Sequence, residues 1–166
     1  MNTDPAPVEF DLHTTAAPES VRSALLDFSP RRPELWPAIE PSLYEVYSVG
    51  ATCAEIREGS KGPGGRVWAR EEYDFSDPHT VRWTVRASNF SEPGSYVSAT
   101  ISPEGAGSIV HIAWNRVGSG FMGRLICAMV RRSGGRPVAQ SFGRGLSVLE
   151  ASADGRTTAS ARRRAR

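Results

Sequence analysis

The sequence predicts an α+β domain in which a curved antiparallel sheet is covered by a long C-terminal helix. Three observations carry that expectation. Six short segments of period-two hydrophobicity follow one another between residues 43 and 116, with turn signals between them. A further alternating segment, residues 7–15, precedes two short helical stretches. The only run of helical apolar spacing long enough to cover such a sheet comes last, over residues 122–149.

Residues 7–15 (PVEFDLHTT) place Val8, Phe10 and Leu12 on one face and Glu9, Asp11 and His13 on the other, the pattern of a half-buried strand. Pro18 then opens a helix in its first turn, where a missing N–H costs nothing. Val21, Ala24, Leu25 and Phe28 give it an apolar face as far as residue 28. A second helical turn spans 34–36 and stops at Pro37. Strands are expected at 43–49, 52–59, 66–75, 80–87, 95–102 and 108–116, with a loop at 61–65 (KGPGG) and turns at Asp77-Pro78, Pro93-Gly94 and 105–107. Helical spacing returns with Met122, Leu125, Ile126, Met129 and Val130, and again with Val138, Phe142, Leu146 and Leu149. Gly134-Gly135 and Pro137 lie between the two stripes and predict a break. Residues 1–6 read as a flexible N-terminus, 7–151 as the domain, and 152–166 as a disordered basic tail, poor in apolar residues.

At 166 residues the chain can bury a core without disulfides or metal. The formal charge of +2 is unevenly spread: the tail carries five arginines against Asp154, which leaves residues 1–151 at about −2. Such a body gives no reason to expect nucleic acid as a partner. No run of eighteen apolar residues occurs, so no transmembrane helix or stable membrane insertion is expected. The first seven residues lack the basic and apolar regions of a leader, which makes a cytoplasmic location the default expectation. The two cysteines, Cys53 and Cys127, sit in apolar periodic segments and read as small buried hydrophobes. His13, His79 and His111 are scattered, and no phosphate-binding loop or nucleophile elbow occurs. No metal or other cofactor is expected.

Candidate site residues follow from the same alternation. Trp83 and Trp114 lie on the apolar faces of their strands and should point at the C-terminal helix, as core filling or as walls for a flat apolar ligand. The run Arg70, Glu71, Glu72, Tyr73, Asp74 can face inward only in part: either Ala69, Glu71 and Tyr73, or Trp68, Arg70, Glu72 and Asp74. Outward carboxylates would pair with Arg82 and Arg86 across the next strand. An inward carboxylate would be desolvated and usable as an acid or base. The weak catalytic candidates are therefore Glu71, Glu72, Tyr73 and Arg70. The ligand-contacting candidates are Trp83, Trp114, Trp68 and Tyr73 from the sheet, with Met122, Leu125, Ile126 and Met129 from the helix, thioethers suiting an adaptable wall.

The order of elements, the stretch VWAREEYDFSDPHTVRWTVRASNFSEPGSYV (67–97), the strand SIVHIAWNR (108–116) and the opening PESVRSALLDFSPRRPELWP (18–37) with its Trp-Pro together resemble the SRPBCC superfamily of START-related, Bet v 1-like and polyketide cyclase/dehydrase proteins. The resemblance covers residues 7–151. It implies a helix-grip fold with a deep cavity between sheet and C-terminal helix. It further implies a hydrophobic or aromatic ligand, lipid or polyketide-like. The alternative is a cyclase/aromatase that folds a polyketone and drives cyclisation and dehydration by acid–base chemistry. A third possibility is an interaction or stress-response protein whose pocket has filled in.

Overall fold

The computed structural model describes residues 5–62 and 64–164. Seven strands form one curved antiparallel sheet: β1 (Val8–Thr14), β2 (Glu45–Val49), β3 (Cys53–Gly62), β4 (Gly65–Asp74), β5 (Thr80–Ser88), β6 (Tyr96–Glu104) and β7 (Gly107–Asn115). Their order is β1-β7-β6-β5-β4-β3-β2. The six strands from β2 onward pair by hairpins, and β1 joins the far edge beside β7, with Val8 opposite Trp114 and Leu12 opposite Val110. Four helices accompany it among the described residues: α1 (Pro18–Leu25), α2 (Arg32–Leu35), α3 (Gly120–Arg132) and α4 (Arg136–Arg164). A single 3-10 turn, Pro41–Leu43, leads into β2. The α+β helix-grip architecture expected from the periodicity is the one observed.

The period-two pattern explains which face is covered. Val81, Trp83 and Val85 of β5, Val97, Ala99 and Ile101 of β6, and Val110, Ile112 and Trp114 of β7 are all buried on the concave side. Each branched aliphatic buried there contributes on the order of 1.5–3 kcal/mol. The core is closed from above by Val21, Ala24 and Leu25 of α1, by Trp36, and by Leu146 of α4. Gly145 makes that lid possible: a Cβ there would run into the indole ring of Trp36, so only glycine lets the ring lie against α4. The Trp36 Nε1–H donates to the Ala24 carbonyl at 3.0 Å, which fixes the ring without leaving a polar atom unpaired.

The break between the last two helices falls at Gly134 and Gly135, both at positive φ (62° and 81°), a conformation glycine adopts without a Cβ penalty. Three expectations need correction. Of the disordered tail expected at 152–166, residues 152–164 continue α4, since Ala and Arg are strong helix formers and no proline interrupts them, and residues 165–166 lie outside the described residues. In the loop expected at 61–65 the pairing of β3 with β4 runs on as far as Gly62 and Gly65, and Pro63 lies outside the described residues. Cys53 is exposed, because it begins β3 in the outward phase set by buried Ala54 and Ile56; Cys127 is buried as expected. The flexible N-terminus expected at 1–6 lies, for residues 1–4, outside the described residues. Ala6 already accepts a hydrogen bond from the Arg131 guanidinium at 2.6 Å.

Candidate functional site

Strand register gathers the inward residues into rows. Tyr73 pairs with Trp83, Trp83 with Val97, and Val97 with Trp114, so one row crosses four strands. The Tyr73 and Trp83 rings stack with centroids 5.2 Å apart and planes at 8°. Above this row Val138, Ser141 and Phe142 of α4, at i, i+3 and i+4, form the roof together with Trp36. Phe142 meets Trp83 at 5.9 Å and Trp36 at 5.8 Å. Between floor and roof remains a cavity of about 210 Å³, with Val67 and Trp68 of β4, Phe90 and Ile39 on its walls.

The inward phase of β4 is Ala69, Glu71 and Tyr73, all buried. The β4–β5 pairing passes over one extra residue of β5, Arg86, between the partners of Arg70 and Glu71, while β4 itself keeps its alternation. Arg70 and Glu72 therefore fall on the convex face, where Arg70 pairs with Glu55 at 2.7 Å and Glu72 with Arg86. Neither reaches the cavity, which corrects their candidacy. Arg82 stacks on the Tyr96 ring at 3.7 Å. Trp68, half-buried, lines the cavity despite its outward phase. It is held by Asn89, whose Oδ1 accepts from the Trp68 N–H at 2.8 Å while its Nδ2 donates to the Arg66 carbonyl at 2.9 Å.

Two buried charge clusters are set into the walls. In the first, Arg32 donates from Nε to Glu58 and from one terminal nitrogen to the Tyr73 hydroxyl at 3.0 Å, and Tyr73 donates in turn to Glu58 Oε2 at 3.0 Å. The other terminal nitrogen donates to the carbonyls of Leu25 at 2.8 Å and Asp27 at 3.1 Å. Burial works against the Arg32 charge, but Glu58 and its other partners outweigh it and hold the guanidinium protonated. Burial and the Glu58 carboxylate keep the Tyr73 phenol neutral, its pKa well above the ordinary value. In the second cluster, Arg116 pairs with Glu71 and reaches Ser91 Oγ at 3.5 Å. Burial pushes the Glu71 carboxyl up, and Arg116 offsets that only in part.

The sign of that shift yields a testable pH dependence. With its folded value raised, Glu71 contributes fully below its ordinary value of 4.5, and that contribution is lost as pH rises through the raised value. Measured against Glu71→Gln by denaturant unfolding, the native chain should lose relative stability from pH 4.5 towards neutrality. A difference that grows with pH instead would mean that Arg116 overcomes the cost of burial.

Arg32, Glu58 and Arg116 were not among the candidates. Glu58 and Arg116 were legible: they continue the inward phase of Ala54-Ile56 and Ile112-Trp114 by one more step. The helical candidates need correction. Met122, Leu125 and Met129 are exposed, Ile126 is half-buried, and among the described residues α3 contributes no side chain to the cavity wall. The buried face of α3 is Gly123, Cys127 and Val130. Among the described residues no group of three His, Cys, Asp or Glu side chains is placed to hold a metal ion.

No protein-family model matches the sequence, and no curated protein matches it. Solved structures do. A protein from Thermus thermophilus superposes with a TM-score of 0.68 at 18% identity, over 88% of this chain and 98% of the other. The Zhui aromatase/cyclase from a Streptomyces species gives 0.66 at 12% identity, over 87% and 93%. A START superfamily protein from Mycobacterium smegmatis gives 0.63 at 12% identity, over 87% and 99%. This chain has the SRPBCC/START-like fold. At these identities the likeness is one of fold, and the helix-grip cavity has to be read from its own residues.

Proposed function

We propose that the chain binds a flat, apolar or aromatic small molecule bearing oxygen acceptors, of lipid or polyketide-like character, in the helix-grip cavity. One observation carries this reading. The cavity joins ring walls (Trp68, Trp83, Trp114 and Phe142) to two hydrogen-bonded guanidinium–carboxylate clusters at its edge. Rings offer contact area at little entropic cost, and the few fixed polar groups orient what the rings hold.

Thermal unfolding of the full chain with fatty acids, sterols, flavonoids and aromatic polyketides tests it. A ligand at a hundred times its dissociation constant adds about 2.7 kcal/mol. Trp68 is the residue to change, since it lines the cavity but is only half-buried. Trp68→Ala should remove most of the ligand-induced shift while altering ligand-free stability by about 1 kcal/mol or less. No shift across the panel, or one that Trp68→Ala leaves intact, would sink the proposal.

A second reading, a cyclase/aromatase acting by acid–base chemistry, is favoured by one feature: a carboxyl in the cavity wall, Glu71, that burial holds towards its protonated form. Two of the solved structures of this fold are aromatase/cyclases. Mass analysis of the bound ligand separates the readings: a binding protein returns it unchanged, whereas a cyclase/dehydratase releases a product lighter by water.

A further inference from the structure

Helix α3 turns its large apolar side chains away from the core. Phe121 is 83% exposed, Met122 45%, Leu125 53% and Met129 55%. They form one stripe along the outer face, opposite the buried Gly123, Cys127 and Val130. The basic side chains Arg124 and Arg132 are exposed at its margins, and Arg136 follows at the start of α4. Among the described residues none of these three arginines has an acidic partner. Between residues 105 and 149 the sequence holds no Asp or Glu at all. Residues 117–166 carry ten arginines and two acidic residues, a net +8, while residues 1–116 carry −6. Positive charge is thus concentrated in the part of the sequence that carries the exposed apolar stripe.

We propose that α3 is a docking helix for an anionic bilayer surface, with Phe121, Leu125 and Met129 seated among the acyl chains and Arg124 and Arg132 among the headgroups. Long apolar side chains flanked by guanidinium groups, without net hydrophobicity enough to span, are the chemistry of an interfacial helix. No helix among the described residues is long and apolar enough to cross a membrane. A folded protein partner fits less well. The outer face of α3 offers alkyl, aryl, thioether and guanidinium groups but no neutral hydrogen-bonding side chain to fix a register. Four apolar side chains are also few against the roughly 20–30 residues a side of a stable protein interface. The placement of the helix has a consequence for the cavity. A Cβ on Gly64, at the tip of the β3–β4 hairpin, would lie 3.3 Å from Met122 Sδ, so α3 abuts the hairpin whose Ser60, Val67 and Trp68 line the cavity. Docking would bring that rim to the lipid surface, whether or not the cavity is occupied.

Cosedimentation of the full chain with vesicles of phosphatidylglycerol and phosphatidylcholine, against phosphatidylcholine alone, tests the proposal. The expected result is binding to the anionic vesicles that weakens with salt. It should fall roughly tenfold or more in Phe121→Ser/Leu125→Ser and in Arg124→Gln/Arg132→Gln. All four side chains are exposed, so both variants should unfold at the native midpoint. Three results would overturn it: no binding to anionic vesicles; binding that both variants retain, which would assign it to the terminal arginines; or a native dimer that Phe121→Ser/Leu125→Ser converts to monomer in ultracentrifugation, which would assign the stripe to a second copy of the chain.

Discussion

Arg32→Met should destabilise the fold by about 3–5 kcal/mol, the largest loss expected from any single substitution in the cavity wall. The side chain is 3% exposed and anchors five groups: Glu58, the Tyr73 hydroxyl, the carbonyls of Leu25 and Asp27, and, through its flat face, the Phe28 ring at 5.2 Å. Removing the cation leaves the Glu58 carboxylate in a low-dielectric wall and two carbonyls without donors, and those orphaned groups, rather than the lost pair itself, carry most of the cost. The double variant Arg32→Met/Glu58→Leu should therefore recover much of the loss, since a buried ion pair can often be exchanged for apolar packing at little cost. Urea unfolding of the native chain, the two single variants and the double variant closes the cycle. A change below about 1 kcal/mol for Arg32→Met would show that the guanidinium is not buried as described.

Arg32 also marks where the sequence stops being legible. Its neighbour Arg31 has a 73% exposed side chain that pairs with Glu34 at 3.5 Å; nothing in Arg31-Arg32-Pro33 distinguishes the two. The distinction arises from a long-range fact, that α2 lies over the Tyr73 end of β4. Strand positions were another matter. Period two fixes a face for every second residue, so the burial of Trp83 and Trp114 could be read directly, as could all seven strands. The same rule held the missed signal. A charged residue that keeps step with an apolar row, as Glu58 does after Ile56 and Arg116 after Trp114, is inward by arithmetic. Such a residue must find a partner there. The phase of β4 could not be read this way. Its segment contains polar residues in both phases, and it is the pairing with β3, which sets Glu71 opposite Ile56 and Tyr73 opposite Ala54, that shows which phase is inward. The helical stripe misled for a physical reason. Apolar spacing shows that a helix has two faces, but not which of them the fold uses.

Gly123→Ala and Gly143→Ala test what did decide the α3 face, and they should move stability in opposite directions. Both glycines lie inside helices, where replacement by alanine would by propensity alone add about 1 kcal/mol. At Gly143 a Cβ would meet nothing within 4 Å, so that gain should appear. At Gly123 a Cβ would drive into the backbone of Phe90: it would overlap the carbonyl oxygen and lie 2.8 Å from the carbonyl carbon and 3.1 Å from Cα. Backbone cannot step aside as a side chain can. Gly123→Ala should thus cost about 1–3 kcal/mol net, as overpacked sites do, and more for a larger residue. Unfolding midpoints in denaturant give both signs at once; a gain at Gly123 would refute the close seating. That seating explains the orientation of the whole helix. With glycine at 123, the first turns of α3 seat directly on the Phe90 backbone, between β5 and β6, and further along the helix the Arg131 guanidinium donates to the Asn115 side chain and the Arg116 carbonyl, both at 3.1 Å. Rolling Met122, Leu125 and Met129 inward would put large side chains where Gly123 meets the Phe90 backbone and push the helix off that seat. The apolar stripe faces outward because the small-residue face packs closer, so the exposed stripe is a consequence of how the core closes rather than a flaw in it.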